Sequence, residues 1–210
     1  MSRKNRSVRR IPSEDRMLRI GVIGVPGSGK TSLCRAVTSA CRRIPSLQRI
    51  ELVSEYARRY ISKHGRVEDI WEQYRIMEKQ IEWEDSIPIK KTDLVITDSP
   101  IHLGFLYACD IVTNKPKDIM VYNDIFKKMS KLNEGKPRYD IIFHLPPTIK
   151  PVDDGIRSPE QLDDNWRKEN NTKLCFIFDT IFKPASLLTI ESADMNNRVS
   201  VVIEHLNKLL

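Results

Sequence analysis

The chain has 210 residues, of which 40% are hydrophobic and 30% charged, enough for one α/β domain with a buried core and too few for two ordinary domains. No apolar run reaches the roughly 18 residues of a membrane helix, no apolar stretch follows the basic N-terminus as in a secretory signal, and the scattered Cys34, Cys41, Cys109 and Cys175 form neither a CxxC pair nor a zinc spacing, so a soluble cytosolic protein with core thiols is expected. The net charge of +7 is uneven: Arg3, Lys4, Arg6, Arg9, Arg10 and Arg16 against Glu14 and Asp15 give residues 1–16 a charge of +4, a basic arm that reads as disordered and serves either as a solvated tail or as an attraction for phosphate backbones.

In chain order, Met17 to Ile23 is a short apolar run ending beside glycine, which suits a buried parallel strand. Leu33, Ala36, Val37 and Ala40 then recur at helical spacing from Lys30 to about Arg43, before Pro45. Ile50 to Val53 reads as a second strand, followed by Ser54-Glu55-Tyr56-Ala57-Arg58-Arg59-Tyr60. A long helix is predicted from about Val67 to Ile87, with Ile70, Tyr74, Met77, Ile81 and Glu84 on one face and Pro88 as its stop. Asp93 to Asp98 gives a third strand, turned away by Ser99-Pro100. Tyr139 to Leu145 gives a fourth and Ser186 to Ile190 a fifth. A last helix from about Asn196 is expected to pack Val201, Val202, Leu206 and Leu209. Strands separated by helical stretches predict an α/β fold, a five-stranded, mostly parallel sheet with helices on both faces. Ligands of such sheets bind at the carboxyl ends of the strands.

The residues with chemical character fall at those ends. Gly24-Val25-Pro26-Gly27-Ser28-Gly29-Lys30-Thr31 fits the GxxxxGK[ST] pattern between a strand and a helix. Its glycines let successive N–H groups curl around phosphate oxygens, and the helix N-terminus adds its positive end, with Ser32 next in line. Lys30 is expected on the β and γ phosphates of ATP, and the Thr31 hydroxyl on magnesium. The dinucleotide-binding pattern fails, because Ser32 stands where a third glycine is required. Protein-kinase HRD and DFG signatures are absent, as is the guanine-selecting NKxD, which leaves ATP as the default nucleotide. Asp98 ends the third strand where a carboxylate orders magnesium, the competing role being a cap for the next segment. Glu55, just after the second strand, is placed to accept the proton of an attacking hydroxyl, or else to pair with Arg58 or Arg59. Val152 to Ser158 is a charged, glycine-bearing loop that brings Arg157, and Arg167 follows in a polar stretch; both are candidates for the phosphate chain. Trp71, Tyr74 and Trp83 on the long helix are either core or a platform for a base.

Taken together, GVPGSGKTSL at Gly24 to Leu33, SEYARRY at Ser54 to Tyr60, LVITDSP at Leu94 to Pro100 and DDGIRS at Asp153 to Ser158 resemble the phage and bacterial P-loop kinases often labelled AAA-type ATPases, a group similar to ribosylnicotinamide kinase and to nucleoside and nucleotide kinases. The resemblance runs from residue 18 onward; its first motif is highly specific for nucleotide binding and the other three moderately so for this group. It implies strand order 2-3-1-4-5 in a kinase domain over residues 17–210, a lid at about 150–170 carrying Arg157, Glu55 near the acceptor and Asp98 near magnesium. Nucleoside and thymidylate kinases usually place an arginine directly after the third-strand aspartate, whereas Ser99-Pro100 follows here, so their acceptor site does not transfer. Some members of the wider group phosphorylate hydroxymethyluracil within phage DNA, and the basic arm suits such a polymer. A free nucleoside, a nucleotide and ribosylnicotinamide stand as alternative acceptors. Two other classes remain: an ATPase that drives a partner, weakened by the lack of a glutamate after Asp98, and a DNA-binding module that uses ATP only for order.

Overall fold

The computed structural model describes residues 17–134, 137–153, 155, 158–182 and 186–210. The basic arm, residues 1–16, and Arg157 lie outside the described residues. Strands β1 (Leu18–Ile23), β2 (Ile50–Val53), β3 (Leu94–Asp98), β4 (Ile141–His144) and β5 (Leu187–Thr189) form one sheet in the order β2-β3-β1-β4-β5. Every pairing is parallel, with Leu18 opposite Leu94, Ile20 opposite Ile141, Ile50 opposite Leu94 and Ile142 opposite Leu187. The sheet expected to be mostly parallel is therefore parallel throughout, in the order that the resemblance implies.

Burial on both faces explains why β3 and β4 open on apolar runs, Leu94-Val95-Ile96 and Ile141-Ile142-Phe143, before the buried polar residues Thr97, Asp98 and His144 at their ends. Alternation along the strands sorts their side chains into two layers. Ile20, Val22, Ile96 and Phe143 meet Leu33 and Val37 of α1 (Lys30–Cys41) and Val202 and Leu206 of α7 (Met195–Leu209). Ile23 and Ile142 face the opposite layer, where Met77 of α3 (Ile70–Asp85), Phe105 of α4 (His102–Ile111), Ile125 of α5 (Pro116–Asn133) and Leu174 of α6 (Asp164–Phe176) converge. Each such fully buried side chain contributes roughly 1.5–3 kcal/mol relative to exposure. Cys34 and Cys41 belong to the first layer, as expected of core thiols.

Some expectations are corrected. The predicted helix from Val67 starts later, at Ile70, because the Asp69 side chain accepts from Trp71 N at 2.6 Å and fixes the N-terminus. The segment after Glu55 is itself a helix, α2 (Tyr56–His64), and the polar stretch holding Arg167 is helix α6, capped where Asp163 accepts from Trp166 N at 2.8 Å. Leu209, expected to pack, is 40% exposed, one turn past Leu206, the last buried residue of α7. Among the described residues no helix is long and apolar enough to cross a membrane.

Candidate functional site

β1 delivers the chain into the turn from Gly24 to Gly29, which opens α1. A Cβ on Gly24 would lie 2.4 Å from the Leu145 carbonyl oxygen, and Gly29, the N-cap residue of α1, has φ 91°, so both positions require glycine. No side chain caps α1. Its first N–H groups thus face the loop, which favours an anion at the helix N-terminus. Lys30 is 8% exposed and folds back, its Nζ donating to the carbonyls of Gly24 (2.9 Å) and Val25 (3.2 Å). The Ser28 hydroxyl is buried with no hydrogen-bond partner among the described residues. Ser32 is exposed on the first turn of α1.

β1 and β3 are neighbours in the sheet, which brings the start of α1 beside the end of β3. Thr31 Oγ1 donates to Asp98 Oδ2 at 2.6 Å. Asp98 is 4% exposed and caps nothing: α4, the next helix, has no side-chain cap. Ser99 behind it has φ 64°, a conformation that strains a residue with a Cβ, and is held there by its N–H donating to Val22 O at 3.1 Å. A hydroxyl and a carboxylate in contact are hard oxygen donors that fit magnesium.

A cavity of about 860 Å³ is lined by Pro26 and Lys30 of the loop and the start of α1, together with Glu55, Arg58, Gln73, Tyr107 and Trp166. Glu55 is the N-cap residue of α2 without a capping bond from its side chain, and its Oε2 lies 3.8 Å from Arg58 Nε. It thus both faces the cavity and has the arginine partner that sequence offered as its competing role. Gln73 is buried and donates from Nε2 to Gly104 O at 3.2 Å. Trp71, Tyr74 and Trp83 do not line the cavity: Trp83 packs edge-on against Tyr56 at 4.9 Å, Tyr74 joins the second core layer and Trp71 is 38% exposed. The aromatics that do line it, Tyr107 and Trp166, were missed because they lie on α4 and α6, which sequence did not resolve as helices. Gly155 and Ser158 line the same cavity.

Two buried arginines grip the outside of the loop. Arg167 is 1% exposed, donates from Nε to Pro26 O (3.1 Å) and from Nη2 to Ile149 O (3.0 Å), and pairs with Asp164 at 3.2 Å. Sequence reasoning placed it on the nucleotide; here it donates to the backbone of the loop at Pro26 and of the segment after β4 at Ile149. Arg198 of α7, missed entirely, is fully buried and donates from Nη1 to Ser28 O (2.7 Å), from Nε to Ser192 O (2.6 Å) and from Nη2 to Thr148 Oγ1 (2.9 Å). Its signal was present: Arg198, Val202 and Leu206 share one stripe of the helix, so the cation stands on an apolar face.

The sequence matches the family described as AAA domain over residues 19–196. No curated protein matches it closely. Among solved structures, it resembles deoxyadenosine kinase from M. mycoides with bound dATP, at 13% identity and a TM-score of 0.58, over 90% of this chain and 100% of that one. It also resembles NadR in complex with NR, at 20% identity and a TM-score of 0.66, over 90% of this chain but only 51% of the NadR chain. At such identities the likeness shows a shared fold.

Proposed function

The chain belongs to the AAA-domain family, and from that premise we propose that it is an ATP-dependent kinase that phosphorylates a hydroxyl of a nucleoside-type acceptor. The observation that carries the reading is that Lys30 and Glu55 line the same cavity, with the Thr31–Asp98 pair next to Lys30 at the start of α1 and the end of β3. The loop N–H groups and Lys30 bind the β and γ phosphates of ATP, and Thr31 and Asp98 would hold a magnesium ion, which would neutralise phosphate charge. Glu55 takes the proton from the acceptor hydroxyl as its oxygen bonds to the γ phosphorus. The bond from that phosphorus to the bridging oxygen breaks, and ADP leaves with the electron pair. Lys30 and Arg157 stabilise the charge of the transferring group. The sequence carries no glutamate after Asp98 to polarise water, which favours transfer over hydrolysis.

For the acceptor, the reading is a hydroxymethylpyrimidine, hydroxymethyluracil, within phage DNA. Its support is charge: α2, which borders the cavity, exposes Arg59 and Lys63, and Arg66 follows at the cavity wall, adding to the basic arm of residues 1–16. A second reading, a free nucleoside or ribosylnicotinamide, draws on the likeness to structures of deoxyadenosine kinase and NadR.

Transfer of label from γ-labelled ATP to hydroxymethyluracil DNA, ordinary DNA ends, deoxynucleosides, deoxynucleotides and ribosylnicotinamide tests both readings, with Lys30→Ala as control. Label confined to the modified DNA is the expected result. Label on a free small molecule would replace the acceptor, and phosphate release without any labelled acceptor would overturn the kinase.

A further inference from the structure

Arg198 is a buried cation whose partners are all neutral. Its three bonds end on two backbone carbonyls and a threonine hydroxyl, and among the described residues no carboxylate pairs with it. The contrast with Arg167, which has Asp164, is direct. An isolated ionised group in a protein interior is costly, and such charges are as a rule paired or bound to an ion. Burial pulls the guanidinium below its ordinary range, the effect of desolvation with no counter-charge. Yet the side chain is fixed by three short bonds, one of them to the Ser28 carbonyl in the middle of the phosphate loop.

The location supplies the missing anion. The carbonyl of Ser28 accepts from Arg198 on the outer side of the turn whose N–H groups form the phosphate cradle, and a Cβ on Gly29 would lie 2.8 Å from Arg198 Nη1. The same guanidinium ties Ser192, between β5 and α7, and Thr148, after β4, to that turn. We infer that Arg198 is a positioning residue whose uncompensated charge is matched by the phosphate chain of the bound nucleotide, through the loop rather than by contact. The inference rests on the reading that this loop binds a nucleoside triphosphate. A mere brace would need donors and no charge. A counter-charge would be felt by the phosphates even where one of its bonds is lost.

Two variants separate these roles: Arg198→Lys keeps the charge and loses the three-armed fork, and Arg198→Gln keeps a neutral donor. The measurements are the Kd of AMP-PNP with magnesium, by calorimetry, and the urea midpoint of the free protein. The expected result is that Arg198→Gln weakens AMP-PNP by about tenfold or more, the size of one partly screened charge–charge term, while Arg198→Lys stays within about threefold of wild type, whatever the two midpoints do. Equal losses in both variants, or none in Arg198→Gln, would overturn the inference. Should the glutamine variant not fold, the lysine variant decides alone: a Kd within threefold supports the charge, and one more than tenfold weaker shows that the loop needs the fork. Failure of the wild type to bind AMP-PNP would instead remove the nucleotide reading itself.

Discussion

Arg138 and Arg198, at opposite ends of the sheet, are held in different ways. At the amino end, the fully buried Glu84 accepts from Arg138 Nε at 2.9 Å and from the Tyr139 hydroxyl at 2.9 and 3.0 Å, while Arg138 also reaches Asp85 at 2.9 Å. Arg19 of β1 closes the cluster by donating to the Glu84 carbonyl at 3.1 Å. At the carboxyl end, Lys30 and Arg198 rest on carbonyls of the phosphate loop. A matched cluster clamps α3 to the starts of β1 and β4. Arg198 instead rests on neutral oxygens beside the loop proposed to take the phosphates, so the surroundings of an arginine distinguish scaffold from proposed site where burial alone does not.

The largest effect should come from unbalancing the matched end. Glu84→Ala leaves the Arg138 guanidinium, 9% exposed, without its buried partner, and should lower unfolding stability by about 3–5 kcal/mol in urea titrations. Nucleotide affinity of the folded fraction should stay at the wild-type level, because the cluster lies at the far end of the strands. A comparable fall in affinity would mean that the two ends are coupled. Lys30→Ala is the reciprocal experiment. Phosphoryl transfer should drop roughly 100- to 1000-fold, the scale for losing one preorganised charge-stabilising group, with the urea midpoint near that of wild type; near-normal turnover would sink the proposed mechanism.

The third effect is a pH dependence of the matched region. His102 is fully buried among Tyr139, Phe178 and Phe182, its Nε2 donating to Asn133 Oδ1 at 3.3 Å. Burial pulls its imidazole down to about 4 from the ordinary 6.5, against the Asn133 bond, and Arg138 adds repulsion. The folded protein therefore keeps a neutral ring while the unfolded chain takes up a proton below 6.5. This stability is complete above pH 6.5 and is lost as pH falls from 6.5 to about 4, with a total of about 3 kcal/mol. Urea midpoints across that range should fall for wild type and flatten for His102→Phe; equal slopes in the two proteins would assign the acid sensitivity elsewhere.

How far such contrasts can be read without coordinates depends on the element. β1, β3 and β4 were legible because strands buried on both faces carry apolar runs, and the phosphate loop because its glycines and Lys30 answer one ligand at fixed spacing. α4 was not, since His102-Leu103-Gly104-Phe105-Leu106 packs between other helices and shows no polar face to set a period. α6 failed for the opposite reason: its sequence is so polar that it reads as loop, and only the Asp163 cap marks its start. Glu84 was placed on the core face by spacing alone, but its partners Arg138 and Tyr139 are 54 and 55 residues away, and no local pattern joins them. Arg198 lies 170 residues from the carbonyl that it holds. The loop was therefore visible in the sequence, and Arg198, which supports it, was visible only as an anomaly on an apolar stripe.

The smallest stability effect is expected at the rim between the two regimes, and it tests the acceptor most directly. Lys63 is exposed near the end of α2, which borders the cavity holding Glu55. Lys63→Ala should change folding stability by no more than about 0.5 kcal/mol, as for surface positions in general. If a DNA strand lies across α2 while its modified base enters the cavity, each lost phosphate contact reduces the slope of log K against log salt by about 0.7 for single strands. Binding of a hydroxymethyluracil oligonucleotide, measured between low and moderate salt, should therefore weaken and flatten in Lys63→Ala. Transfer to a free deoxynucleoside should be unaffected, because a small acceptor inside the cavity does not extend over the helix. An unchanged salt slope for the oligonucleotide would leave α2 an ordinary solvated helix and return the balance of evidence to a small-molecule acceptor.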